Sequence, residues 1–401
     1  MKYFLFLLGI LVLVCAEVAR VYFIMPFPGS QEDNVIDIAY FLQNNIYLFR
    51  MAGILLIAYP AYHIIRFSQP AWRWTAVSLL VFWLFVCYNS NFRLLADKMF
   101  YQPEHKILVH ATDNQVSDRA LVLGVYINQE AKAYPIEIIG YHHQVRDTVG
   151  GEPIMVTYCT VCRTGRVYNP MVDGEPENFR LVGMDHFNAM FEDSRTKSWW
   201  RQVSGEAITG PRKGKQLEEI PSEQMTLQAW LSQHPDSFIL QPDSLFKDEY
   251  KSLEKFDEGK AKSKLERADS LSWKDKSWVV GVSLGLFAKA YDWNDLKDNR
   301  VINDDIEQAP VVVVLANDTA SFHVWSRIVA SDTLIFSYSD SLKTFIDTNT
   351  NSVWDWSGQC KEGTLKGTSL KSIQSYQEFW HSWRTFHPNT SQYFPRLNAN
   401  E

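Results

Sequence analysis

One stretch of this chain occurs twice. Ala131-Lys132-Ala133-Tyr134 returns as Ala288-Lys289-Ala290-Tyr291, an offset of 157 (288 − 131). Gly124-Val125 and Gly281-Val282 keep that offset, and Pro153 followed by Ile-Met-Val is matched by Pro310 followed by three valines. Later landmarks drift slightly: Ser198 and Trp200 match Ser352 and Trp354, Gly205 matches Gly358, Trp230 matches Trp383, and His234-Pro235 matches His387-Pro388. A slowly drifting offset is what a duplicated unit with small loop deletions leaves behind. One copy covers 116–241 and the other 275–395. Whatever fold is adopted must therefore be small enough to occur twice in 401 residues.

Each copy reads as mostly strand. Residues 121–127 and 154–158 are apolar and β-branched, as buried strands are. Residues 166–170 and 178–182 flank Asp173-Gly174, a hairpin-type turn dipeptide. Residues 136–143 suit one or two turns of helix. Residues 225–233 read as a helix stopped at His234-Pro235, because proline disfavours helix in the residue before it. The second copy repeats the plan, with 309–315 as a buried strand and 376–386 as the closing helix. Between the copies, 242–274 carries the run KSLEKFDEGKAKSKLERADS and reads as an exposed charged linker. The expected fold is α+β and β-dominated: two pseudo-symmetric repeats preceded by a three-helix transmembrane region over 1–92.

That region has three apolar stretches, 4–23, 46–65 and 74–88, the last spanning length only with Trp72 and Phe92 as interfacial ends. No small-residue cleavage site follows the first, so a signal peptide is the weaker reading. Arg66 and Arg73 mark the loop after the second span as cytoplasmic, whereas the loop after the first carries Glu32, Asp33 and Asp37. The N-terminus is then inside, and everything after about residue 92 lies on the outer, periplasmic side of the inner membrane, where disulfides are permitted. Glu17 and Arg20 lie three apart near the end of the first span; they could pair with each other or mark an intramembrane site, and the leading expectation is that they snorkel to the interface. Cys15 and Cys87 read as buried small hydrophobes and Cys360 as a thiol without a close partner in sequence. The net charge of −7 gives no basic face for nucleic acid, so the expected partner is the membrane, with the small-molecule or protein partner unspecified.

Duplication supplies an internal control. His142 and His143 fall on Asn299 and Arg300, and Cys159 and Cys162 on Ala316 and Thr319. The glycines, tyrosines, tryptophans and prolines recur, whereas the reactive residues stand in one copy only. Scaffold residues should recur, so the His and Cys set reads as functional. Cys-x-x-Cys with an imidazole from His142 or His143 makes three donors of a metal site with an open position. Zinc or copper suits such donors, with iron also compatible. Met184 or His186 would add a fourth ligand, and alternation puts Met184, His186 and Asn188 on one face. Asp147 would orient an imidazole from behind. A redox dithiol and a plain structural disulfide are the other readings of the pair. A c-type haem is excluded because Arg163, not histidine, follows Cys162.

Several of these motifs occur together elsewhere. Ala133-Tyr134-Pro135, His142 five residues before Asp147-Thr148-Val149-Gly150-Gly151, Thr157-Tyr158-Cys159-x-x-Cys162, and Trp200-x-Gln202 with Gly205-Glu206-Ala207 resemble the bacterial family called domain of unknown function 3179. The family usually shows Cys-Pro-Leu-Cys where this chain has Cys159-Thr160-Val161-Cys162. An acidic residue is more usual at His143, which puts His142 first as the ligand. The resemblance spans nearly all of the soluble part. It implies the site and the extent of the fold, and no activity.

Overall fold

A computed structural model describes residues 1–103 and 105–395. The fold is α+β and rich in strands, behind three apolar helices. The chain forms two compact units, Met1–Tyr101 with Pro176–Gln216, and Gln102–Glu175 with Leu217–Glu401.

In the first unit, helices Lys2–Tyr22, Ile36–Phe67 and Pro70–Phe92 are long and apolar enough to cross a membrane. Small residues set their spacing. A Cβ on Gly9 would strike Ile57, and one on Gly53 would strike Leu13, so the first two helices approach closely. Glu17 and Arg20 do not snorkel. Both are buried and 3.5 Å apart. Arg50 Nε donates to Glu17 Oε1 at 2.6 Å, and Arg20 donates to Ser90 O and Asn91 Oδ1, each at 2.8 Å. Partners on the other two helices hold them, because a buried charge is cheapest when paired. Cys15 is exposed rather than buried, and Cys87 is half-buried.

The second helix is longer than a bilayer requires, by about 12 residues of the 32. Its first turns meet a four-stranded antiparallel sheet in the order Ala207–Thr209, Trp199–Arg201, Asn188–Asp193, Phe179–Asp185. Thr209 Oγ1 donates to Asp37 Oδ1 at 2.8 Å, and Tyr40 stands edge-on to Trp199. Met184 N donates to Ile24 O at 2.7 Å, and Gly183 leaves no room there for a Cβ. Met184, His186 and Asn188 do not share a strand face. His186 and Phe187, at φ 50 and 66, form the turn between two strands.

In the second unit, one sheet runs Leu108–His110, Phe238–Leu240, Glu130–Pro135, Leu121–Ile127, Glu223–Thr226. Another runs Ser375–Phe379, Trp278–Leu284, Phe287–Asp292, Ser391–Gln392. In each, a central hairpin is followed by a seven-residue helix, Ile136–His142 or Trp293–Asn299. Three-stranded sheets follow: Gln144–Val149, Glu152–Cys159 and Thr164–Tyr168, then Val301–Ile306, Ala309–Leu315 and Phe322–Ser326. The 121–127 strand matches its sequence expectation residue for residue. The closing helices start later than expected, at Leu227–Gln233 and Trp380–Phe386, because Glu223–Thr226 and Ser375–Phe379 are edge strands paired to the hairpins. Asp173 and Gly174, both at positive φ, do form a turn, but only Met171–Val172 and Glu175–Pro176 flank it. Residues 166–170 and 178–182 go to different sheets. The charged segment 242–274 is solvated along its lysines, while Phe246, Tyr250, Leu253 and Phe256 between them are buried.

Candidate functional site

Strand Glu152–Cys159 delivers Cys159 to its last position, opposite Thr164. The chain then turns through Thr160-Val161-Cys162, and Arg163 closes the turn at φ 55. A turn this tight puts residues i and i+3 side by side. The two sulfurs are hydrogen-bonding neighbours, and both residues are wholly buried. Burial, reinforced by the Cys159 thiol, pushes the Cys162 thiol well above its usual value. Thiolate, the reactive form, is thereby suppressed.

The cover comes from the C-terminal part of the chain. Phe379 N donates to Cys162 O at 3.0 Å, and Thr164 Oγ1 lies 3.4 Å from Ser382 Oγ. Lys276 Nζ donates to Val161 O at 2.6 Å and lies 3.1 Å from His381 Nε2, which is itself 3.2 Å from Val161 O. Burial, with Lys276 second, pushes His381 down to about 3. Burial lowers Lys276 as well.

Two arginines brace the turn. Arg163 is wholly buried, its guanidinium 3.9 Å from the Trp278 ring centre and 4.9 Å from that of Phe256. Its Nε donates to Gln377 Oε1 at 2.7 Å. Arg166 donates to Glu378 Oε1 at 2.6 Å, and Ser382 donates to Glu378 Oε2 at 3.0 Å. Burial alone would lower Arg166, but the Glu378 carboxylate, with Tyr376 and Glu219, reverses that and holds it above the usual arginine value.

The histidines are placed otherwise. His142, wholly buried at the end of helix Ile136–His142, has Nε2 2.7 Å from the Tyr250 hydroxyl, with Phe246 edge-on to its ring. His143 caps that helix at φ 60, as Arg300 caps helix Trp293–Asn299 at φ 63. Burial pushes His143 down to about 4. Asp147 Oδ2 accepts from the Tyr134 hydroxyl at 2.8 Å and pairs with Lys132 at 3.4 Å. Asp304 does the same for Tyr291 and Lys289, at 3.1 and 2.5 Å. Met184 and His186 belong to the other compact unit, where His186 Nδ1 meets Asp185 Oδ1 at 2.6 Å. Among the described residues, no three His, Cys, Asp or Glu side chains come together in a way that could hold a metal ion.

Sequence reasoning missed Lys276, His381, Ser382 and Tyr250. None is near the cysteines in sequence. The available signal was indirect: Arg163 and Arg166, within an otherwise apolar strand context, required partners from elsewhere.

Two depressed histidines give a pH expectation. Their folded values lie below the unfolded 6.5, so the unfolded chain binds protons first. Their contribution is intact above about pH 6.5 and is lost as pH falls towards about 4 for His143 and about 3 for His381. Each should cost about 1 kcal/mol by pH 6. Unfolding followed from about pH 7.5 to 6 should show the loss, and His381→Asn should flatten it. An unchanged slope in that variant would refute the assignment.

No curated protein and no solved structure matches the chain. The family model described as "Protein of unknown function (DUF3179)" matches residues 101–390. That stretch holds the cysteine turn and every residue that covers or braces it, and on this match the chain belongs to the DUF3179 family.

Proposed function

We propose that this chain is a membrane-anchored scaffold, its α+β part outside the cytoplasmic membrane, in which two copies of one domain are clamped over a cysteine pair that forms one lasting disulfide. The observation that carries this reading is the pair itself: two thiols in mutual contact, without exposure, under helix Trp380–Phe386. Matched geometry supports the duplication. Gly124 lies against Trp230 as Gly281 lies against Trp383. Trp200 Nε1 donates to Asp193 Oδ2 at 2.9 Å, and Trp354 Nε1 to Asp347 Oδ2 at 3.0 Å. Arg66 and Arg73 between the second and third spans support the outward placement.

Timing explains how a buried pair is oxidised. Synthesis runs from the N-terminus, so residues 159–162 leave the membrane before 276 and 375–386 exist to cover them. One thiolate attacks an external protein disulfide to give a mixed disulfide, and the second attacks that mixed disulfide and displaces the external thiolate. Two electrons and, net, two protons end on the external partner, which leaves as a dithiol. Once the cover docks, neither oxidant nor reductant reaches the sulfurs, and the pair does not turn over.

The test has two readouts in one strain. A reporter that works only in the cytoplasm, fused after Glu401, should be silent. The native purified protein should then take up no alkylating agent at Cys159 or Cys162 after treatment with dithiothreitol, and both should react once unfolded and reduced. Exchange within minutes in the folded state would replace the scaffold with a redox protein. A stoichiometric metal that disappears in Cys159→Ser would replace it with a metal site.

A further inference from the structure

Of the places where the two sets of strands in the second compact unit meet, two stand in contrast. At one meeting, Thr164–Tyr168 packs against Ser375–Phe379. There the long Arg166 side chain fills the space, its guanidinium 3.3 Å from the centre of the Tyr376 ring. Only about 10 Å³ remains open beside Gly165 and Tyr376. At the other, Phe322–Ser326 packs against Glu223–Thr226. No arginine stands there. A cleft of about 800 Å³ opens instead, continuous in its lining with a hollow of about 200 Å³. Tyr126, Glu223 and His323 line both. The larger volume is within the range of ordinary small-molecule sites.

The lining is organised. His323 is 7% exposed and lies flat on Trp325, ring centres 4.9 Å apart at 8°. Its Nδ1 is 3.5 Å from Glu223 Oε2. Its Nε2 is buried and has no hydrogen-bond partner among the described residues. A buried polar atom left unmatched costs about 1–3 kcal/mol, a cost that a water or a ligand hydroxyl reaching it would relieve. His323 and His234 hold the Glu223 carboxyl below the usual range against the opposing effect of burial, so it is an ionised acceptor. Tyr126 stacks on His234 at 4.8 Å and keeps about half its surface in the open.

The chemistry of the ligand follows from what the lining offers. Carboxylates of Glu223, Asp318 and Asp355 outnumber its single lysine, Lys361, which is already paired with Asp355 at 2.9 Å. A phosphate or carboxylate ligand would meet repulsion. Asp318 already accepts from Thr226 and Ser321, and Asp355 from Ser357 and Gln359, so the Glu223 carboxylate is the acceptor at the centre; beside a tyrosine face it suits a molecule with hydroxyl donors and an apolar C–H face. We propose that this cleft, with Glu223, His323 and Tyr126 at its centre, binds a neutral saccharide of one to three rings. The inference is independent of the state of Cys159 and Cys162, which are not among its lining residues.

The experiment is calorimetric titration of the full-length protein in detergent with maltotriose and with the β-1,4 disaccharide of N-acetylglucosamine, and with glucose 6-phosphate as the anionic comparison. Saturable binding of at least one neutral sugar is expected, weakened tenfold or more by Glu223→Gln and by Tyr126→Ala. Circular dichroism on both variants establishes that they are folded, which their partial exposure favours. Absence of saturable binding by both neutral sugars overturns the proposal. So does binding that folded Glu223→Gln and Tyr126→Ala both leave unchanged, and so does tighter binding of glucose 6-phosphate.

Discussion

Glu378→Leu should destabilise the protein by about 3–5 kcal/mol, the usual cost of stranding one member of a buried ion pair. Arg166 is 2% exposed and Glu378 not at all, with 2.6 Å between them. Without the carboxylate, the guanidinium keeps the Gly165 carbonyl at 2.8 Å and the Tyr376 ring, but its nearest counter-charge is the Glu219 carboxylate at 3.7 Å, and Ser382 loses an acceptor. The melting temperature of the detergent-solubilised protein should fall by about 10 °C. The double variant Arg166→Met with Glu378→Leu should recover most of the loss, because it removes both charges and refills the volume. If the double variant is no more stable than Glu378→Leu alone, the pair is not what holds the two strand sets together at this point.

Gly281→Ala should cost about 1–3 kcal/mol or more, through overpacking. The added Cβ would fall on three ring atoms of Trp383, well inside 3.0 Å. The ring cannot swing away. Its Nε1 donates to Thr390 Oγ1 at 2.8 Å, and its face stacks on His387 at 3.8 Å. Gly124→Ala should behave alike, since Trp230 is held by Ser237 at 2.8 Å and by His234. Denaturant unfolding in a double-mutant cycle tests the cause: Gly281→Ala should cost much less in a Trp383→Phe background. Equal costs in both backgrounds would show that the strain lies elsewhere.

These glycines also show what could be read without coordinates. Their recurrence with Trp230 and Trp383 was visible, and the reason was not, since a close approach between a strand and a helix leaves no local pattern. Strand 121–127 was legible because it is a short unbroken apolar run. The first halves of 225–233 and 376–386 were not, because an edge strand that runs straight into a helix has no punctuation between the two. Cys159 and Cys162 were placed correctly at the end of a strand. Their surroundings were misjudged, since the neighbours arrive from 276 and 375–386, more than a hundred positions away. Proximity in sequence points His142 to the sulfurs; it gives no sign of the Tyr250 hydroxyl that meets its ring, which comes from a segment whose charges read as solvent-facing. Charge density hid the aromatic residues within that segment.

The sheet that rests on Ile24, Asp37 and Tyr40 is made from residues 179–209, far down the chain from the helices it touches. Deleting the first 101 residues to obtain a water-soluble fragment would therefore not be a clean excision. It would take away the bed on which Gly183 and Trp199 lie and leave a raw apolar face on what remained. The apolar helices are a building block of the folded body.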